Sequence, residues 1–484
     1  MSAVTASARD WPLFVAGAWE EAGPRERIEV ENPATGETVA TVPVATAADL
    51  DRALAAAEAA RSTWARTDAW TRSALVRAAG AALARRAEEV AATIVREQGK
   101  PLAEARAEVG YAVETFDWYA DEARRLYGRT VPGHRGDARL TVLREPVGPV
   151  AAFTPWNFPA VTPARKVAAA LAAGCPVILK PSEETPGAAF HLAEACEEAG
   201  LPLGLLSVVC GVPAEISGRL LASPTIRKVS LTGSVPVGRT LMAQCAEHLQ
   251  VPTLELGGHA AVLVFADADL DAAVERCVTA KFRNAGQVCL APSRFYVERA
   301  IAEPFARRFA ERAAALTVGD GFDPATEVGP LASARRLEAT ERLVADAVGR
   351  GAELLCGGRR PPGRERGWFY EPTVLTGVDP ASALMVEEPF APIAPLLGFD
   401  GLEEGLRLAN ATPYGLAHYA FTRDLRTAQL ALEGLEAGVV GINTCLTSTV
   451  EAPLSGVKQS GIGAENGVEG IEAYTVVKYG QVQL

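Results

Sequence analysis

The run Lys281 to Cys289, KFRNAGQVC, places one thiol just beyond a glycine and a string of small or polar residues. A thiolate presented in such a turn can attack a carbonyl and split one difficult reaction into two easier steps through a covalent intermediate. Free cysteine is also among the most buried residue types, so Cys289 alone would read as a small core hydrophobe. Its partners elsewhere in the chain must decide between the two.

Four further segments fall at predicted strand ends. In Thr154-Pro155-Trp156-Asn157-Phe158-Pro159 two prolines fix a turn, and Asn157 brings an amide donor able to stabilise an oxyanion, unless it is an ordinary turn asparagine. Lys180 and Glu183, in Leu179-Lys180-Pro181-Ser182-Glu183, could hold ribose hydroxyls or form a solvated pair. Leu231-Thr232-Gly233-Ser234 opens a helix where backbone amides favour a phosphate, although it departs from the GxGxxG fingerprint. In Leu254-Glu255-Leu256-Gly257-Gly258 an acid sits between apolar residues, a setting that raises a carboxyl pKa toward general-base work but also suits a strand-end salt bridge.

The elements that must position these residues alternate. Short apolar runs with turn residues from Trp11 to Pro43 predict strands and hairpins; helices follow from Thr46 to about Trp64, Asp68 to about Gln98, and on to about Tyr127. The stripe Leu75, Val76, Ala79, Leu83 and Val90 is core packing. From Leu140 strands alternate with helices: Val150 to Phe153, Val177 to Leu179, Leu206 to Val209 and Lys228 to Leu231 are strands, with helices at 187–199, 214–221 and 237–248. This is the α/β pattern of a parallel sheet covered on both faces, which binds ligands at the carboxyl ends of its strands. A second α/β unit is expected beyond a boundary near Val251, with strands near Leu263 and Phe295, helices at 270–282 and 302–315, and a surface loop at 357–367. The tail from Tyr474 alternates as a strand able to pair with another subunit.

At 484 residues, 49% hydrophobic and 22% charged, the chain suits two or three globular domains. A net charge of -12 argues against nucleic acid or an anionic membrane as partner. The first ten residues lack a secretory pattern, and the apolar stretch 167–179 is too short and too broken to span a bilayer, so a cytoplasmic protein is expected. Eight cysteines without a CxxC pair and five histidines without ligand spacing predict reduced thiols and no metal.

Taken together, PWNFP at 155–159, KPSEE at 180–184, TGS at 232–234, ELGG at 255–258, GQVC at 286–289 and EEPF at 387–390 resemble the aldehyde dehydrogenase superfamily, in its order and spacing. The resemblance runs from about Leu13 to Val482 and points to the succinate-semialdehyde and ketoglutarate-semialdehyde branch. It implies Cys289 as nucleophile, Asn157 with the Cys289 amide as oxyanion hole, Glu255 as the base that activates water, and Lys166 as a lysine tied to that network. For the cofactor it implies Lys180 and Glu183 at the adenosine ribose, Ser234 at the pyrophosphate, and Glu388 with Phe390 at the nicotinamide ribose; Thr154, Trp156, Ser182, Gly233 and Leu256 are assigned to the same site. An aldehyde would be oxidised to a carboxylic acid through a thiohemiacetal and a thioester.

A Glu183 carboxylate would repel the extra phosphate of NADP, so NAD is the expected cofactor, with NADP possible. Arg165 and Arg283 match paired arginines that hold a distal carboxylate, assisted by Ser448, which implies a short ω-carboxylated substrate such as succinate semialdehyde. Ketoglutarate semialdehyde, an uncharged aldehyde, or a silent NAD-binding member are the alternatives. A CoA-acylating relative is disfavoured by Glu255. Leu290-Ala291 lack the second cysteine of some relatives, Ala391 replaces the usual glycine after Phe390, and Leu454-Ser455 replace a common Phe-Gly. The implied architecture is an aldehyde dehydrogenase fold with a Rossmann-like NAD-binding domain (1–126 and 146–251), an α/β catalytic domain (252–456) and a small β oligomerisation element (127–145 and 457–484) in a homodimer or homotetramer.

Overall fold

The computed structural model describes residues 8–20 and 23–484, so the part of the amino-terminal reading that concerns residues 1–7 lies outside the described residues. Thr46 caps the helix Ala47–Arg66 by a reciprocal pair: its N–H donates to the Asp49 carboxylate at 2.8 Å while the Asp49 N–H donates to its hydroxyl at 3.3 Å. Asp68 caps the next helix. The sequence predicts a single helix from there to Gln98, but the chain breaks at Arg86 (φ −95°, ψ 5°) into Ala69–Arg85 and Ala87–Gln98. No glycine or proline stands at the break. Arg85 and Arg86 both reach Glu198 on another helix, a tertiary contact that local pattern does not carry. Gly99, left-handed at φ 91°, ends the second piece before Leu102–Glu122 begins.

Two large sheets dominate. The first has eight strands in the order Gly461–Ile462, Val251–Glu255, Lys228–Thr232, Val150–Phe153, Val177–Lys180, Leu206–Val208, Leu13–Val15 and Ala18–Glu20. Its five central strands are parallel, and the flanking ones antiparallel. The second has seven strands, parallel except for the edge strand Glu353–Cys356. Ala260–Val264, Pro292–Glu298 and Ile393–Phe399 lie in its middle. Each sheet anchors its own apolar core, and Phe158 packs against both. The helix Val161–Ala173, buried at every residue, packs against the strands Val150–Phe153 and Val177–Lys180 and the helix Leu102–Glu122.

The first sheet extends a few residues past the expected domain boundary at Val251. Val251–Glu255 pairs residue for residue with Lys228–Thr232, so the chain leaves the first sheet after Glu255 rather than before Pro252. The expected 457–484 element is likewise divided: Gly461–Ile462 joins the first sheet, and only Thr475–Gln483 pairs with Ala138–Pro146 in a separate three-stranded sheet. Apolar periodicity marks strands but does not say which sheet receives them. Among the described residues no helix is long and apolar enough to cross a membrane.

Candidate active site

Register in the first sheet gathers the motifs at one edge. Phe153 pairs with Lys180 and Thr232 with Glu255, so the Asn157 turn, the Gly233-Ser234 turn and the Glu255 carboxyl leave the sheet side by side. Facing them, Cys289 precedes the strand Pro292–Glu298 and Glu388 and Phe390 precede Ile393–Phe399. Between the two walls lies a cavity of about 800 Å³, into which Cys289, Glu255, Asn157, Arg165, Arg283 and Ser448 all project. Trp156, Gly233, Ser234, Leu256, Glu388 and Phe390 line the same space.

Cys289 is held by a strained turn. Asn284 (φ 51°), Ala285 (φ 53°) and Gly286 (φ 72°) are successively left-handed, a conformation that costs the two non-glycine residues energy and persists only where surrounding bonds impose it. Those bonds are present. The Asn284 amide donates to Asn157 O at 3.0 Å and Gln287 O at 3.2 Å, while its oxygen accepts from Gln98 Nε2 at 2.8 Å. Asn157 Nδ2 donates to Gln287 O at 3.0 Å, which spends one of its two hydrogens and leaves the other for an oxyanion. Lys100 Nζ donates to Asn157 O at 2.8 Å and to Glu108 at 2.6 Å, a pair wholly buried beneath the turn.

Glu255 is 3% exposed, and neither of its oxygens has a hydrogen-bond partner among the described residues. Burial, reinforced by the nearby Glu465 carboxylate and opposed by Lys166 and Arg165, raises this carboxyl well above the ordinary range. Lys166 does not reach the cavity. It lies beneath, donating to Glu465 at 2.5 Å and to Ser230 at 3.1 Å. Removal from water pushes the Cys289 thiol up to about 12, with Glu388 and Glu255 adding to the rise and Arg165 and Arg283 opposing it. The thiol is therefore protonated at neutral pH, and its attack on a carbonyl requires a base. An unpartnered carboxyl beside it meets that need.

A nucleophile, an amide donor and a carboxyl base around one cavity can carry out acyl chemistry through a thioester. The model described as "Aldehyde dehydrogenase family" matches residues 19–479. The chain belongs to the aldehyde dehydrogenase family. It is an oxidoreductase acting on aldehydes, with a nicotinamide dinucleotide, NAD or NADP, as cofactor. It is 46% identical over 462 residues to a probable succinate-semialdehyde dehydrogenase (NADP(+)) of Sinorhizobium fredii, covering 95% of this chain and 93% of that one. It is 43% identical over 466 residues to a glutarate-semialdehyde dehydrogenase of Pseudomonas putida, covering 96% of each. The crystal structure of succinate-semialdehyde dehydrogenase from Burkholderia pseudomallei superposes with a TM-score of 0.96 at 44% identity, covering 99% of this chain and 100% of that one.

The remaining wall of this aldehyde dehydrogenase fits a dinucleotide. Ser234 stands at the amino end of the helix Val235–Cys245 without a side-chain capping bond, and among the described residues the buried Thr232 hydroxyl has no partner; the Thr154 hydroxyl is likewise unpartnered but lies outside the cavity lining. Glu388 accepts from the Gly258 N–H at 2.9 Å, and burial raises its carboxyl to about 7. Phe390, left-handed at φ 45°, meets Trp156 edge-on at 5.5 Å, and its carbonyl and that of Pro389 both accept from Arg336, at 2.9 and 2.6 Å. Lys180, Ser182 and Glu183 lie apart from the cavity, where Lys180 Nζ donates to Glu183 at 2.5 Å.

Sequence reasoning missed several polar residues here. Lys100, Glu108 and Glu104 come from the Gly99 turn and its following helix, where only the buried spacing of Glu108 and Ala105 on one face hinted at an inward acid. Asn284 was in view inside the Cys289 motif. Tyr111, Glu465 and Asn466 had no signal, because each reaches the site only through packing of segments distant in sequence.

Proposed function

We propose that this aldehyde dehydrogenase oxidises a short ω-carboxylated semialdehyde, of the succinate-semialdehyde type, to the dicarboxylate. One observation carries the reading. Arg165 and Arg283 enter the cavity that holds Cys289, and among the described residues neither guanidinium makes a salt bridge. Arg165 donates to Ser448 Oγ at 3.0 Å, and Arg283 lies over the Phe158 ring, 5.6 Å from its centre. Among the described residues neither cation is ion-paired, although Glu104 lies near Arg283 and Glu465 near Arg165, and both Nε atoms are buried without a partner; a substrate carboxylate matches their forks.

Cys289 attacks the aldehyde carbon as its proton passes to Glu255, and the carbonyl oxygen takes the negative charge beside Asn157 Nδ2 and the Cys289 N–H. Loss of hydride from this carbon to a bound dinucleotide, which would serve as the oxidant, would leave a thioester on Cys289. Once that first proton has passed to solvent, Glu255 removes a proton from water as that water attacks the resulting thioester; the carbon–sulfur bond breaks, the Cys289 sulfur takes back a proton from Glu255, and the acid departs. Lys166 and Glu465 hold the charge balance around Glu255.

Residues of the first sheet would bear most of the dinucleotide, and those of the second bear Cys289 and close the nicotinamide end. Ser234, Gly233, Thr154 and Leu256 would meet its phosphates and nicotinamide side, Glu388 its nicotinamide ribose, with Phe390 and Trp156 as apolar walls. Glu183, with Lys180 and Ser182, would meet the adenosine ribose, and its carboxylate favours NAD over NADP. Thr475–Gln483 exposes Val477 and Val482, an apolar edge that supports a homodimer or homotetramer. All eight cysteines are free thiols, in keeping with a cytoplasmic location.

The test is NADH formation with succinate semialdehyde and with butanal, using Cys289→Ala as the blank. A higher kcat/KM for the carboxylated aldehyde is expected. Equal or better use of butanal would keep the dehydrogenase and discard the carboxylate.

A further inference from the structure

Tyr111 lines the cavity beside Arg165 and Ser448. Its oxygen lies 3.0 Å from Asn466 Nδ2, 3.3 Å from an Arg165 terminal nitrogen and 3.2 Å from Ser448 Oγ, and the Arg165 guanidinium sits 5.3 Å from the centre of its ring. The direction of each bond follows from what the partners can do. Asn466 Nδ2 also donates to Thr449 O at 2.9 Å, and because a carbonyl only accepts, the amide nitrogen must face both oxygens. Arginine only donates. The Tyr111 oxygen therefore accepts twice, and its single proton is left to bridge to Ser448 Oγ.

Ser448 Oγ in turn accepts from Tyr111 and from Arg165 at 3.0 Å, so both of its lone pairs are used. Its own hydrogen is the free one. A serine held this way can donate to an incoming group but cannot accept from it. A carboxylate accepts only, whereas a terminal hydroxyl or amide also presents hydrogens that Ser448, Tyr111 and Arg165 could not accept.

We propose that Tyr111 is a positioning residue that sets this subsite for an anion by forcing Ser448, which Arg165 also holds, to act as donor. The proposal rests on the reading that Arg165 and Arg283 grip the carboxylate of the substrate. Tyr111 acts through Ser448, with Asn466 supplying the orientation.

Tyr111→Phe keeps the ring over Arg165 and removes only the hydroxyl. With succinate semialdehyde and butanal as the two substrates, the variant should raise KM for the carboxylated aldehyde about fivefold relative to butanal, with the kcat ratio of the two substrates kept. In a Ser448→Ala background the same change should have little further effect on that KM ratio, because the group through which Tyr111 acts is gone. An equal rise in KM for both aldehydes, or full additivity with Ser448→Ala, would overturn the proposal in favour of a structural role. Arg283→Ala, measured alongside, separates the two levels. If it fails to discriminate between the aldehydes, the carboxylate reading itself falls; if it discriminates and Tyr111→Phe does not, only the role of Tyr111 falls.

Discussion

The Asn284 side chain donates to the Asn157 carbonyl at 3.0 Å, so the left-handed turn that presents Cys289 and the turn that presents the oxyanion donor are one hydrogen-bonded unit. They come from opposite walls of the cavity, and the bond sets nucleophile and donor relative to each other. Asn284→Ala removes three buried bonds and places alanine at φ 51°. A loss of about 3 kcal/mol in urea unfolding is expected, together with a fall in kcat of at least roughly tenfold from misplaced donors. Wild-type kcat in the variant would show that the turn keeps its shape without Asn284.

Among the described residues neither Glu255 oxygen has a hydrogen-bond partner, and this carboxyl shares the cavity with the Cys289 thiol. Glu255→Gln should lower kcat by about 10²- to 10⁴-fold. If deacylation suffers most, rapid-quench mass spectrometry will find the thioester on Cys289; an unmodified enzyme at that low turnover would place the chief role of Glu255 in activating the thiol.

The pH dependence has a definite sign. Because burial and Glu465 raise the Glu255 carboxyl well above its ordinary value, it stays protonated, and useless as a base, until the pH passes that raised value. Deacylation should therefore be slow in mild acid and rise with pH, with a midpoint well above the usual carboxylate range. Single-turnover thioester hydrolysis across pH checks this, and a flat profile down to pH about 5 would contradict it.

Replacing Arg283 or Arg165 by alanine should raise KM for succinate semialdehyde by roughly 10- to 100-fold, the loss of one charge-assisted hydrogen bond or more. Butanal, with nothing for a guanidinium to hold, should show a much smaller change. Steady-state kinetics with both aldehydes decides.

Lys100 and Glu108 pair at 2.6 Å with both side chains about 1% exposed. Lys100→Met leaves the Glu108 carboxylate buried without its cation and should cost about 3 to 5 kcal/mol. Adding Glu108→Gln should recover part of that loss, since the uncompensated charge is removed, while activity stays low because the Asn157 carbonyl still lacks its lysine donor. Denaturant midpoints of the single and double variants would measure both effects.

Local sequence determined a great deal here. Turn chemistry around Cys289, the caps at Thr46 and Asp68, and the strand-helix alternation from Val150 to Cys245 are written in residues a few positions apart, and they reappear in the structure as strands and helices close to those expected. Resemblance to a known family, carried by short motifs, named the residues to look for. Tertiary structure alone decided that Val251–Glu255 joins the first sheet, that one long predicted helix breaks at Arg86, that Tyr111 and Glu465 converge on the cavity, and that Asn466 bonds Tyr111 behind it. Tyr111 and Asn466 are 355 positions apart and meet only because the helix Leu102–Glu122 and the turn that opens the helix Gly467–Glu472 are packed together. Periodicity and turn preference act over a few residues, whereas such a contact is fixed by the packing of whole layers, and no local pattern encodes it.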